Sequence, residues 1–477
     1  MWLKIRKGAD MKKLLPIILL LYPIFVISQE KEQEPEEEVP PVVIRNITLI
    51  DGNGGEPRSN VSLLMADDTI IGIVDDERDI PIESKIFDYT GHYVIPGLID
   101  SHAHIAFDAR SQSDRAFATA VLKHLLYGGI TTVRDMVGDG RILTGLARDA
   151  VLDEIESPDI YYSTYIAAPE FLYSDPRLIP SSRGAILGET SYMMALNEND
   201  DLKEAITLAR GSGATGIKVY AEYDREMMAR LTAEAHRQGM KVWAHVALVP
   251  AKPSDVVAAG PDVISHVEMF FFELFEFYEA REKQRNKTFD FPNMKVDEPA
   301  IVEVFEEMVR KNVILDATLI SEKRLEYGKG WFKYCADLVA LAHNMGVLIA
   351  AGTDNMGEPN DHYLPNLFEE MESYVDYSGL TPLEAITTAT LNGAKSIGIE
   401  ETHGTLEVGK KANMVILKAD PSRNIRNARE IKLTIKNGKF YDRSFYNPVR
   451  FNSIVEERSE ISSDWDKKEK QLSTLEH

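Results

Sequence analysis

Residues 96–104 read PGLIDSHAH: a proline–glycine corner, an apolar run, then two histidines one residue apart. In an extended strand, positions i and i+2 project from the same face. His102 and His104 therefore share a face, and Ala103 points away from it. That pattern suits the end of a buried strand that carries chemistry. Working outward, the first β-like run covers 94–105, and seven more follow at 130–136, 159–166, 216–220, 241–246, 262–267, 313–319 and 347–353. Amphipathic helical stretches such as REMMARLTAEAHRQG and LVALAHNMG follow most of them. Eight strands alternating with helices over about 300 residues predict an α/β fold, a (β/α)8 TIM barrel. A doubly wound open sheet is the competing arrangement. The polar residues favour the barrel. His102 and His104, Lys218 in GIKVY, His245 in VWAHV, His266 in VISHV and Asp354 in IAAGTDN all fall at or near strand ends. Barrel enzymes hold their catalytic groups at the C-terminal ends of their strands.

The barrel is assigned to 95–400, and the pieces on either side of it have a different texture. From 42 to 94, VVIRNITLID, VSLLMADDTIIGIV and KIFDYTGHYVI are alternating or β-branched runs separated by DGNGG, ADD and TG. Residues 401–445 repeat that texture in GTLEVGKKANMVILKAD and EIKLTIKNGKFYD. Together they predict one small β-sandwich domain assembled from both ends of the chain. Residues 446–477 form a charged C-terminal tail. At the other end, residues 1–28 read as a signal peptide with its natural start at Met11. Lys12 and Lys13 precede an apolar run over 14–27, and Val26, Ile27 and Ser28 offer a cleavage site. The run is shorter than the ~18–20 residues of a membrane span. An uncleaved anchor is the alternative. Residues 29–41, QEKEQEPEEEVPP, form a disordered acidic linker. The expectation is an exported protein, periplasmic or secreted, with no membrane association once the signal is removed.

The chain has 477 residues and a formal net charge of −23, which argues against nucleic acid and anionic membrane surfaces as main partners. A single cysteine, Cys335, excludes an intrachain disulfide and reads as a buried small residue in a helix-like run. Two connections are long. Residues 167–202 follow the third strand, and residues 268–298 follow the sixth. Long loops on that side of a barrel shape the mouth of the site. The second one contains FFFELFEFY at 270–278, which has three readings: a lining for the mouth, a dimer contact, or an ordinary helix packed on the barrel. A homo-oligomer therefore stays open.

Each strand-end histidine alone reads as readily as a core imidazole. Four of them with an aspartate, on separate strand ends, point to metal binding. Lys218 has two readings. As a neutral buried amine it reacts with CO2 to give an anionic carbamate ligand. Otherwise it ion-pairs with a carboxylate such as Glu222 or Asp354. Tyr220 lies two residues beyond Lys218 on the same face, as a substrate contact or a packing residue. Arg134, ending the second strand, binds a substrate carboxylate or pairs with Asp135 or Asp100. His362 reads as a surface histidine.

With those motifs in view, the sequence resembles the metal-dependent amidohydrolase superfamily, and within it the imidazolonepropionase-related and Xaa-Pro dipeptidase-like (prolidase-like) enzymes. The resemblance rests on VIPGLIDSHAH, GGITTVRDM, GIKVY, WAHV, ISHVE, AAGTDN, LTPLEAITTATLNGAKSIGI and GTLEVGKKANMVIL, and runs from about residue 42 to about residue 442. It implies one zinc ion on His102, His104 and Asp354, a second on His245 and His266, and carbamylated Lys218 bridging them. It also implies hydrolysis of an amide or peptide bond by metal-activated hydroxide, with Asp354 as the catalytic proton carrier. The expected substrates are dipeptides or N-acyl amino acids. Deaminase branches carry a glutamate shortly after the fifth-strand histidine, whereas this chain reads HVALVP. Hydrolysis is therefore favoured over deamination. Glu268 in ISHVE either orients His266 or is solvated. Two alternatives stay open: a mononuclear hydrolase of cyclic amides, and a non-catalytic binding protein on the same scaffold.

Overall fold

The computed structural model describes residues 40–447, apart from 108–111, 287, 325–329 and 356–363. The signal peptide, most of the acidic linker, most of the charged tail and His362 lie outside the described residues. Among the described residues no helix is long and apolar enough to cross a membrane.

Two sheets organise the chain. The first begins with β1 (Val42–Leu49), β2 (Arg58–Ala66), β3 (Thr69–Val74), β4 (Lys85–Asp88) and β5 (Tyr93–Pro96). The barrel follows, with β6 (Leu98–Ala103), β7 (Ile130–Asp135), β8 (Asp159–Ala167), a short β9 (Met193–Ala195) beside it, β10 (Gly216–Val219), β11 (Lys241–His245), β12 (Val263–Ser265), β13 (Ile314–Asp316) and β14 (Ile349–Ala350). The chain then returns to the first sheet through β15 (Met414–Leu417), β16 (Ile431–Lys436) and β17 (Lys439–Asp442). The small domain is thus one mixed eight-stranded sheet from both ends of the chain, joined where β15 runs antiparallel to β5. Its core packs Ile44, Ile47, Val61 and Leu63 against Met414, Ile416, Leu433 and Ile435.

The barrel strands are parallel and follow chain order from β6 to β14, with β9 appended to β8. β6, β7 and β10 are buried at every position, as strands covered on both faces must be. Closure is made by the first and last strands. Ser101 N donates to Ala351 O at 3.0 Å, Thr353 N donates to His102 O at 3.1 Å, and Ala103 bridges Asn355. Met136, Trp243, Val263, Ile314 and Ala350 form a cluster inside the ring. Several helices start where the sequence supplies a side-chain cap, as Asp139, Asp201, Asp224 and Thr381 do. Thr381 accepts from Glu384 N while the Glu384 side chain reaches back, and Pro382 sits at the first helical position.

The last three strands are short, and beyond each of them the chain leaves the extended region. His266, Thr318 and Asp354 have positive φ of 81°, 47° and 49°, a conformation that stops a ladder and turns the side chain.

A buried ion pair ties the two sheets together: Lys436 Nζ on β16 lies 2.7 Å from Asp159 Oδ1 at the start of β8. Replacing Lys436 by methionine removes the cation and leaves Asp159 with only the more distant His403. The unfolding free energy is expected to fall by about 3–5 kcal/mol, visible as an earlier denaturant midpoint. An unchanged midpoint would show that the pair contributes nothing net.

Candidate active site

A cavity of about 650 Å³ opens at the C-terminal ends of the barrel strands. His102, His104, Lys218, His245, His266 and Asp354 all line it, as does Tyr220. The six strand-end residues singled out in the sequence are therefore brought together from β6, β10, β11 and the ends of β12 and β14.

The imidazoles are oriented from behind. His102 Nδ1 donates to Asp316 Oδ2 at 2.7 Å, which leaves Nε2 as the free lone pair. His104 Nδ1 lies 3.4 Å from the Val137 carbonyl, and its Nε2 is 2.7 Å from Asp354 Oδ1. His266 Nδ1 is 3.0 Å from Thr318 Oγ1. The His245 ring packs on Tyr220 at 3.9 Å and on His266 at 4.6 Å between centroids.

Charge in the site follows burial and neighbours. Burial pushes the His102 imidazole down and His266 down to about 3. Burial and the nearby Lys218 push His245 well below its ordinary value. Burial also opposes the charge on Asp354, but the hydrogen bond from His104 and the charges of His102 and His266 outweigh it, so Asp354 stays well below the usual carboxylate range. His104 is raised, its burial being outweighed by Asp354. Three imidazoles held toward the neutral form, with His104 and an ionised carboxylate beside them, are a metal-ligand donor set. His102, His104 and Asp354 each offer one donor atom, and these lie within 4.8 Å of one another. The residues present fit a divalent cation, and imidazole with carboxylate suits zinc.

Lys218 Nζ donates to Ser265 Oγ at 3.0 Å and meets neither Glu222 nor Asp354 as an ion-pair partner. Burial brings its pKa down to about 7. The amine is therefore available in neutral form beside the imidazoles.

Arg134 corrects an expectation. It does not reach the cavity, so it cannot bind a substrate carboxylate there. It is fully buried beneath the site, where Nη2 pairs with Asp316 Oδ2 at 3.0 Å and Nη1 donates to Ser396 O at 3.0 Å, while the guanidinium stacks over Trp243. Its ion-pair partner is Asp316, rather than Asp100 or Asp135. The 270–278 segment divides its roles: Phe270, Phe271 and Phe272 are core, while Phe277 and Tyr278 line the cavity.

Sequence reasoning missed Asp316, Thr318 and Arg177. Asp316 was visible as a carboxylate ending the apolar run VILD on the seventh strand. Arg177 lines the cavity from the loop after β8, and DPRLIP carried no signal for it.

The amidohydrolase family model matches residues 93–441. Ochratoxinase of Aspergillus niger is 25% identical over 445 residues, covering 82% of this chain and 85% of that one. Imidazolonepropionase of Porphyromonas gingivalis is 25% identical over 378 residues, covering 69% and 76%. Among solved structures, a Xaa-Pro dipeptidase with bound methionine superposes with a TM-score of 0.66 at 20% identity, covering 84% of this chain and all (100%) of that one. The A. niger ochratoxinase structure gives 0.67 at 23% identity, covering 86% and 98%. At these identities the structural likeness speaks for the fold.

Asp316→Asn keeps the shape but removes the negative charge on which His102 Nδ1 and Arg134 Nη2 converge, so the hydrogen bond that orients His102 weakens. Metal affinity is expected to fall about 10–100-fold, measured by chelator competition, with circular dichroism unchanged. Wild-type affinity in a folded variant would show that Asp316 does not orient His102.

Proposed function

The chain belongs to the amidohydrolase family and is a hydrolase of carbon–nitrogen bonds, and from that premise we propose that its substrates are dipeptides or N-acyl amino acids. The observation that carries the reading is the convergence of His102, His104 and Asp354 with buried Lys218 on one cavity.

His102, His104 and Asp354 would hold one metal, and His245 with His266 a second. Lys218 would bridge the two after its neutral Nζ adds to CO2, forming an N–C bond and releasing a proton. Bound metal supplies a water of lowered pKa and a Lewis acid for the substrate carbonyl. Asp354 takes the proton released as water adds to the carbonyl and delivers it to the leaving nitrogen. The three imidazoles around it keep its carboxylate ionised. Tyr220, packed on His245 and lining the cavity, donates its hydroxyl to the carbonyl or carboxylate of the substrate. A second reading, a mononuclear hydrolase of cyclic amides, is favoured by the fact that only His102, His104 and Asp354 bring their donor atoms together among the described residues. The apolar run at 14–27 and the lysines before it support export to the periplasm or medium.

Three measurements test this. Chelator treatment is expected to abolish hydrolysis of a panel of dipeptides and acyl amino acids, and zinc to restore it. No cleavage of any panel member by metal-loaded protein would sink the substrate assignment. Metal analysis decides between the readings: two ions per chain, with reconstitution accelerated by bicarbonate, supports the bridged pair, whereas one ion supports the cyclic-amide reading. Finally, Asp354→Asn is expected to lower kcat by about 10²–10⁴-fold while much of the metal stays bound. Turnover near the wild-type rate would remove Asp354 from the proton path.

A further inference from the structure

The cavity carries two acidic side chains that the hydrolytic steps do not use. Glu268 follows β12 in the turn Val267–Phe270, and Glu322 lies in the helix Leu319–Arg324 after β13. Both line the cavity. Glu322 is held in place by Trp331 Nε1, which donates to its Oε2. Glu268 Oε2 is fully enclosed and has no hydrogen-bond partner among the described residues. A buried acceptor left in that state costs free energy that a ligand donor would recover.

Two features say what kind of donor. The first is charge. Both are carboxylates lining one cavity, and neither has an ion-pair partner among the described residues. Arg281 also lines the cavity. Its guanidinium rests over the Phe272 and Phe277 rings at 4.8 and 5.4 Å, and Nη1 donates to Gln284 Oε1. A cationic group on a ligand would give these carboxylates the partner they lack. The second feature is the donor set. Glu268 and Glu322 have no third His, Cys, Asp or Glu close enough to make a metal site among the described residues. An ammonium brings both a full charge and three N–H donors.

We propose that Glu268 and Glu322 form a subsite for a protonated amine of the substrate, beside the metal-ligand cluster. The proposal rests on reading the cavity as an amide-hydrolysing site, and it narrows the substrate to one with a free amino group, a dipeptide rather than an N-acyl amino acid. The other side of the ring is complementary. Arg177, from the loop after β8, lines the cavity next to Tyr220 at the end of β10, and these strands are three or more positions from β13 around the barrel. Arg177 is already paired there through Nε and Nη2 with Asp175, so a peptide carboxylate would share its guanidinium with that side chain.

The test uses zinc-loaded full-length protein and two probes without a hydrolysable bond, titrated calorimetrically. These are L-leucinol and 4-methyl-1-pentanol, which differ by the amine alone. L-Leucinol is expected to bind at least about tenfold more tightly. Glu322→Gln and Glu268→Gln are each expected to remove that advantage and to leave pentanol binding unchanged. Equal affinities, or no binding of either probe at millimolar concentration, would overturn the proposal. So would an amine preference that survives both variants, which would assign it to chelation of zinc. If one variant fails to fold, the other and the wild-type comparison still decide. Hydrolysis of Leu-Ala is read separately. Amine preference without cleavage retains the subsite and counts against the hydrolase reading, and cleavage without amine preference does the reverse.

Discussion

Asp316 Oδ2, wholly buried at the end of β13, accepts hydrogen bonds from His102 Nδ1, Arg134 Nη2 and Ser265 Oγ. Ser265 in turn accepts from Lys218. A lone buried carboxylate would be strongly disfavoured, and burial does push Asp316 up. His102, Arg134 and Lys218 outweigh that and hold it below the usual carboxylate range. One side chain therefore couples the first, second, fourth, sixth and seventh barrel strands. It also decides which nitrogen of His102 faces the cavity. The arrangement depends on close approach by the eighth strand: a Cβ on Gly352 would come within 2.3 Å of Asp316 Oδ1 and 2.6 Å of His102 Cβ.

The same network gives the cavity its asymmetry of charge. Below the metal-ligand cluster, Arg134 neutralises Asp316 and cannot be exchanged with solvent. Above it, Asp354 is ionised by three imidazoles and Lys218 is left without a carboxylate partner. Desolvation is the largest single influence on each of these groups, and for Asp316 and Asp354 the partners together outweigh it. Whether a group is charged is decided by its immediate partner, and the net charge of −23 spread over the whole chain has little bearing on it.

Much of this was legible in the sequence, because periodicity reports burial directly. Each predicted barrel run contains an observed strand or nearly coincides with one, and the i, i+2 spacing of His102 and His104 placed both on the cavity. The two terminal β segments join as expected because β15 pairs with β5, a contact between parts some 320 residues apart that only their matching texture announced. What failed was depth. Arg134 ends a strand as His245 does, yet it points beneath the site while His245 points into it. One residue of register decides that, and the sequence does not fix where along a strand the barrel opens. Glu268 and Arg177 lie in single turns of the connections and Glu322 in a short helix, where no strand period constrains the side chain.

The brevity of the later strands belongs to the same account. β12 and β13 have three residues each and β14 has two. A longer ladder would keep His266, Thr318 and Asp354 extended and alternate their side chains between barrel interior and helix layer. Positive φ at all three breaks the alternation: His266 and Asp354 line the cavity, and Thr318 reaches His266 from behind. Thr318 is β-branched, so that conformation is costly there, of order 1–3 kcal/mol. The gain is a hydroxyl placed 3.0 Å from His266 Nδ1. The strain is tolerated because the residues beneath are fully packed, from Trp243 and Val263 in the ring to Leu315 and Ala317 at its wall. The rigid lower barrel and the distorted upper rim are thus one design, in which packing below holds the ligand-bearing ends in a conformation they would not adopt alone.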